Sequence, residues 1–168
     1  INYRIFNEQT VKRLEGKSVK TEHGKFNLIL YKDLIFEETH IVLQKGRISK
    51  NTPTLVRVQQ SNLYHDLLKV DEFGTRWSVS DAMKKINKAG NGIILLIDGD
   101  NNKENEFKEI RASKKKRKTV PNNDPRRIGI GSQILRDLGV KKIKLMGSEV
   151  RYPSLSGFDL EVTEYIKK

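Results

Sequence analysis

Apolar and polar positions alternate with period two through the first third of the chain. Residues 18–31, SVKTEHGKFNLILY, place Val19 and Thr21 before a turn at His23-Gly24 and Phe26, Leu28 and Leu30 after it, the pattern of a β-hairpin. THIVLQKGRI (39–48) and TPTLVRVQQ (52–60) add two strands, with Asn51, Thr52 and Pro53 marking the turn between them. The period then changes. Val79, Ala82, Met83 and Ile86 fall at helical spacing behind a capping Ser78 or Ser80, and Gly90-Asn91-Gly92 stops that helix. IILLI (93–97) is an uninterrupted apolar run bounded by polar residues, which predicts a buried strand. A second helix is predicted from Ile130, Ile134, Leu135 and Leu138, closed by Gly139, then a strand at KKIKLM (141–146) and a last one at FDLEVTEYI (158–166). A β-rich start followed by helix and strand twice over predicts an α/β fold, a mixed sheet with flanking helices.

Two stretches stand apart. YRIFNEQTVKRL (3–14) reads as a polar lead-in outside the core, so residues 1–17 are expected to be a linker from a preceding domain and 18–168 the domain itself. DGDNNKENEFKEIRASKKKRKTVPNNDP (98–125) is apolar only at Phe107, Ile110 and Val120 and predicts a mobile basic excursion over about 98–123.

Charge and composition narrow the partners. Lysine and arginine number 33 against 21 acidic residues, a net charge of +12 that favours an anionic partner. The run Lys114 to Lys118 could neutralise phosphates in a salt-dependent way, but no aromatic residue is interleaved for base stacking. A solvated loop is the simpler reading, and nucleic acid is the less favoured partner. No apolar run approaches the ~18–20 residues of a membrane-spanning helix. Cysteine is absent, which excludes disulfides, thiolate nucleophiles and sulfur-ligated zinc. His23, His40 and His65 are far apart along the chain and read as structural. Gly129-Ile130-Gly131 lacks the third glycine of a dinucleotide fingerprint. Asp98 and Asp100 follow the buried strand, where catalytic or metal-binding carboxylates often sit, though Asn101 and Asn102 beside them make a polar turn the simpler reading.

Four blocks carry a resemblance. TPTLVRV (52–58), AGNGIILLI (89–97), NDPRRIGIGSQILRDLGVKKIKLM (123–146) and LSGFDLEV (155–162) resemble successive blocks of the GTP cyclohydrolase II family, the third most specifically through Asp124-Pro125-Arg126 leading into GIGSQILRDLG. YRIFNEQTVKR is similar to the linker that joins such a domain to a 3,4-dihydroxy-2-butanone 4-phosphate synthase domain in bifunctional riboflavin-pathway proteins. The resemblance implies a GTP cyclohydrolase II-like fold in a cytoplasmic homodimer. It also implies a chemistry in which zinc-bound water opens the imidazole ring of GTP, with release of formate and pyrophosphate.

The family's three zinc cysteines fall on Asn62, Phe73 and Thr75, none of which supplies a thiolate. Its GTP-contacting RQEGRG is replaced by Asp98-Gly99-Asp100-Asn101-Asn102-Lys103, and its LLTNNP by Leu145-Met146-Gly147-Ser148-Glu149-Val150. What is retained is Arg57, Asp124 and Arg126. The resemblance implies that Arg57 contacts GTP phosphate and that Arg126 is nucleophile or phosphate contact at the α-phosphorus, oriented by Asp124. A local cap or pair at a helix entrance is an equal reading of Asp124 and Arg126. The expectation is a degenerate domain without zinc or another cofactor, with catalytic remnants at Asp124 and Arg126 and phosphate contact at Arg57. GTP should bind no tighter than about millimolar, since each lost charged contact removes ~1–3 kcal/mol. Its role would be structural or regulatory beside an N-terminal butanone-phosphate synthase domain. Two alternatives remain, residual nucleotide hydrolysis through Asp124 and Arg126 and nucleic-acid binding through Lys114 to Lys118.

Overall fold

A computed structural model describes residues 8–60, 62–73, 76–98, 103–112, 125–147 and 155–168. Seven strands form one sheet: β1 Val11–Thr21, β2 Gly24–Asp33, β3 Thr39–Lys45, β4 Thr54–Gln59, β5 Gly92–Leu96, β6 Lys142–Met146 and β7 Glu161–Ile166. Among the described residues three α-helices accompany it: α1 Val79–Ala89, α2 Lys103–Ala112 and α3 Pro125–Asp137. The spatial order is β1-β2-β3-β5-β4-β6-β7. Strands β1, β2, β3 and β5 pair antiparallel, whereas β5, β4, β6 and β7 pair parallel. The sheet is therefore mixed, as the alternation of elements predicts.

Both faces of the sheet are covered, which explains why β5 is apolar at every position. On one face Ala82, Met83 and Ile86 of α1 pack against Phe26, Leu43, Leu55, Ile94 and Met146. On the other, Ile130, Ile134 and Leu135 of α3 pack against Ile29, Tyr31, Val42, Val56, Ile93 and Leu95. Each fully buried Ile or Leu contributes ~1.5–3 kcal/mol of transfer free energy. Helix α1 begins where predicted, with Ser78 Oγ accepting the Asp81 amide at 3.1 Å, and ends on Gly90 in the left-handed region at φ 89°. Gly92 opens β5 with φ 154°, and a Cβ there would lie 2.9 Å from the Leu55 carbonyl oxygen, so only glycine lets the strand start against β4.

Several expectations are corrected. Strand β1 starts at Val11, and Thr10 and Val11 are buried, so residues 11–17 belong to the sheet and not to a linker. Their polar sequence misleads because β1 is an edge strand whose residues 12–18 are exposed. Strands β3 and β4 do not form a hairpin, because β5 lies between them and pairs with both. Within the expected basic excursion, Lys103–Ala112 form helix α2, which docks through Phe107 edge-on to Tyr64 with ring centroids 6.2 Å apart. The last strand begins at Glu161, and Phe158, expected in it, is buried in a short helical turn instead. The run Lys114 to Lys118 lies outside the described residues.

Candidate functional site

Ligands of parallel sheets gather beyond the carboxyl ends of the strands, at the point where successive connections diverge. Here β5 lies on one side of β4 and β6 on the other, so the chain passes over β4 on its way from β5 to β6. Around that end stand Gln59 at the end of β4, Gln60 after it, Asp98 after β5, Gly147 after β6 and the first turn of α3.

Arg57, the expected phosphate contact, is held inside the architecture. Its Nε donates to Gln59 Oε1 at 2.7 Å, Nη1 to the Met146 carbonyl at 2.9 Å and Nη2 to the Trp77 carbonyl at 3.1 Å. The guanidinium thereby ties the ends of β4 and β6 to the segment leading into α1. Arg127 donates from Nη1 to Gln60 Oε1 at 2.6 Å and fixes the start of α3 over the end of β4. Arg126 occupies the first turn of α3, while Asp124 lies outside the described residues.

The loop after β4 carries Asn62, the first position at which the family resemblance implies a zinc cysteine. Asn62 caps a turn of π-helix, Leu63–Leu67, with its Oδ1 accepting the His65 amide at 3.1 Å. Its own amide donates to Asp66 Oδ2 at 2.8 Å. Asp66 is the hub: Oδ1 also accepts the Val79 amide at 3.0 Å, and Gln59 Nε2 lies 3.2 and 3.3 Å from the two oxygens. One carboxylate thus joins the end of β4, the π-turn and the start of α1, with charge-assisted bonds to backbone amides. These residues do not fit zinc. Asn62 is engaged as a cap, Phe73 has no ligand atom, Thr75 lies outside the described residues, and the sequence has no cysteine.

A cleft of about 560 Å³ opens beside this loop, lined by His23, Asn62, Asp66, Ser80, Met83 and Lys103 among others. His23 Nε2 lies 3.1 Å from Ser80 Oγ and 3.3 Å from Glu22 Oε1. The Ser80 hydroxyl and the exposed Glu22 carboxylate thus address the same nitrogen. His40, read along the chain as structural, has company that such a reading missed. Asp33, Glu38 and His40 place their ligand atoms within 4.8 Å of one another at the β2–β3 turn. The signal was available: Glu38 and His40 share a face at i, i+2, and a hairpin turn returns Asp33 beside them.

The fold and this site define an α/β domain of the kind that binds ligands at the carboxyl ends of parallel strands, with its polar groups largely bound to one another. Residues 12–167 match the model of the family described as GTP cyclohydrolase II, and the chain belongs to that family. It is 39% identical to a 3,4-dihydroxy-2-butanone 4-phosphate synthase of Pseudomonas aeruginosa, over 99% of this chain and 46% of that protein. It is 32% identical to the riboflavin biosynthesis protein RibBA of Cytophaga hutchinsonii, over 99% of this chain and 44% of that protein. Among solved structures it is similar to RibBX, a two-domain 3,4-dihydroxy-2-butanone 4-phosphate synthase from A. baumannii, with a TM-score of 0.64 and 32% identity over 98% of this chain and 42% of that one. The chain spans about half the length of these relatives. Among the described residues no helix is long and apolar enough to cross a membrane.

Proposed function

We propose that this is a GTP cyclohydrolase II-family domain of a riboflavin biosynthesis protein that does not carry out the cyclohydrolase reaction and supports, structurally or by regulation, an N-terminal 3,4-dihydroxy-2-butanone 4-phosphate synthase domain. Two-domain synthases and RibBA proteins among its relatives support the pairing of domains. The observation that carries the loss of chemistry is the loop at Asn62: a position that would hold zinc is a helix cap, anchored by the Asp66 carboxylate in place of a metal. Without a zinc-bound water nothing in the described site lowers a water pKa toward neutrality.

GTP binding is correspondingly weak, about millimolar at best. Arg57 already donates to three acceptors, and Asp98, at a former ligand position, repels a triphosphate. The domain acts in the cytoplasm and within a homodimer. Zinc-supplemented purified protein should release no formate from GTP. Turnover abolished by Arg126→Ala would instead support nucleotide hydrolysis through Asp124 and Arg126. Sedimentation of the full-length protein as a monomer would refute the dimer.

A further inference from the structure

Asp33 is fully buried, and its two carboxylate oxygens have different fates. Oδ1 accepts the amides of Ile35 at 2.9 Å and Phe36 at 3.4 Å, which folds the β2–β3 turn, while its backbone amide donates to the Glu38 carbonyl at 2.8 Å. Oδ2 is buried and, among the described residues, accepts no hydrogen bond. A buried acceptor left in that condition costs about 1–3 kcal/mol, more when it is charged. The surroundings deepen the imbalance. Glu38 brings a second carboxylate and His40, also fully buried, an imidazole, all within 4.8 Å. The unsatisfied oxygen of Asp33 thus faces two further ligand-bearing side chains, and a bound cation would give it the partner it lacks.

We propose that Asp33, Glu38 and His40 form a binding site for a divalent transition-metal ion. Two carboxylates and one imidazole are the donor set that suits manganese, iron, cobalt or zinc with coordination positions left open. An ion at about 2.0–2.2 Å from each donor requires the three atoms to close in by about 1 Å or less apiece. Half-buried Glu38 gives the ion a route from solvent, and Asp33 Oδ1 can keep the turn folded while Oδ2 coordinates.

The site also touches the candidate functional site. His40 Nδ1 accepts the amide of Asp98, at the end of β5, at 2.9 Å. In the neutral ring the proton is therefore on Nε2. Coordination through Nε2 moves that proton to Nδ1, and Nδ1 then no longer accepts from Asp98. Ion binding through Nε2 and the Asp98 anchor exclude each other, so such an ion frees the Asp98 amide from His40, beside the position where the family pattern places ligand contacts.

Calorimetry of chelator-stripped protein with Mn²⁺ and Co²⁺ tests this, with the visible spectrum of Co²⁺ reporting its ligands and amide exchange reporting Asp98. The expected result is one ion per chain at micromolar Kd, weakened about tenfold or more by Asp33→Asn, His40→Gln or the half-exposed Glu38→Gln, with faster Asp98 exchange on loading. His40→Gln keeps an acceptor for the Asp98 amide, and Asp33→Asn keeps the turn, so both variants should fold. Glu38→Gln decides if either does not. No saturable binding below a millimolar, or binding unchanged by all three variants, overturns the proposal.

Discussion

Two polar centres, one half-buried and one buried, lie near the same end of the sheet and are built in opposite ways. Around Asp66 and Arg57, carboxylate oxygens and guanidinium nitrogens meet backbone amides, carbonyls and Gln59. At the β2–β3 turn, one oxygen of Asp33 is bonded twice and the other not at all. The first centre joins four elements and leaves Asp66 little capacity for a ligand. The second retains an unsatisfied group beside two further donors. The contrast teaches that a retained charged residue at a family's site position can be architecture, and that capacity for binding is read from what a polar group lacks.

The largest effect should come from breaking the saturated centre. Asp66→Ala leaves the Asn62 and Val79 amides without their acceptor and should destabilise the domain by about 3 kcal/mol in urea unfolding. Arg57→Ala should cost about 2–3 kcal/mol through the orphaned carbonyls of Met146 and Trp77, with no change in any weak GTP affinity. Affinity that falls with Arg57→Ala while stability holds would return Arg57 to phosphate binding. In the other centre Asp33→Asn in metal-free protein should be neutral or slightly stabilising, because it removes a buried charge while keeping the Asx turn.

Smaller effects follow from titration. Burial opposes ionisation of Asp81, but hydrogen bonds from Lys168 and Ser78 outweigh it and hold the carboxyl below its usual range. Its contribution is present above the unfolded carboxylate range and is lost as pH falls through the lowered folded value, so acid unfolding should occur at higher pH in Lys168→Ala. Tyr31 is raised above its ordinary value by burial, then by its hydrogen bond to Asp137 at 2.6 Å and that residue's charge. Stability from this pair is full below about pH 10 and is lost above it. Tyr31→Phe should flatten the alkaline limb.

Much of the fold was legible because apolar period and punctuation agree: Ser78, Gly90 and the run IILLI mark α1 and β5 correctly. Strand β2 was read on one face only, since Phe26 and Leu28 advertise it, while Ile29 and Tyr31 pack on the other. Strand order was not legible, because no local pattern tells β4 that β5 will separate it from β3. At the site, residue types alone show that Asn62 offers no thiolate. That Asp66 would organise the loop, and that Asp33 would return to Glu38 and His40, depends on contacts between elements that spacing alone does not encode.

The central claim is that the family scaffold persists here without the family reaction. Formate release from GTP, measured on the full-length protein with zinc supplied and with synthase activity verified in the same preparation, tests it most directly. The account predicts formate indistinguishable from the enzyme-free blank. Sustained formate release that disappears in Arg126→Ala would contradict it.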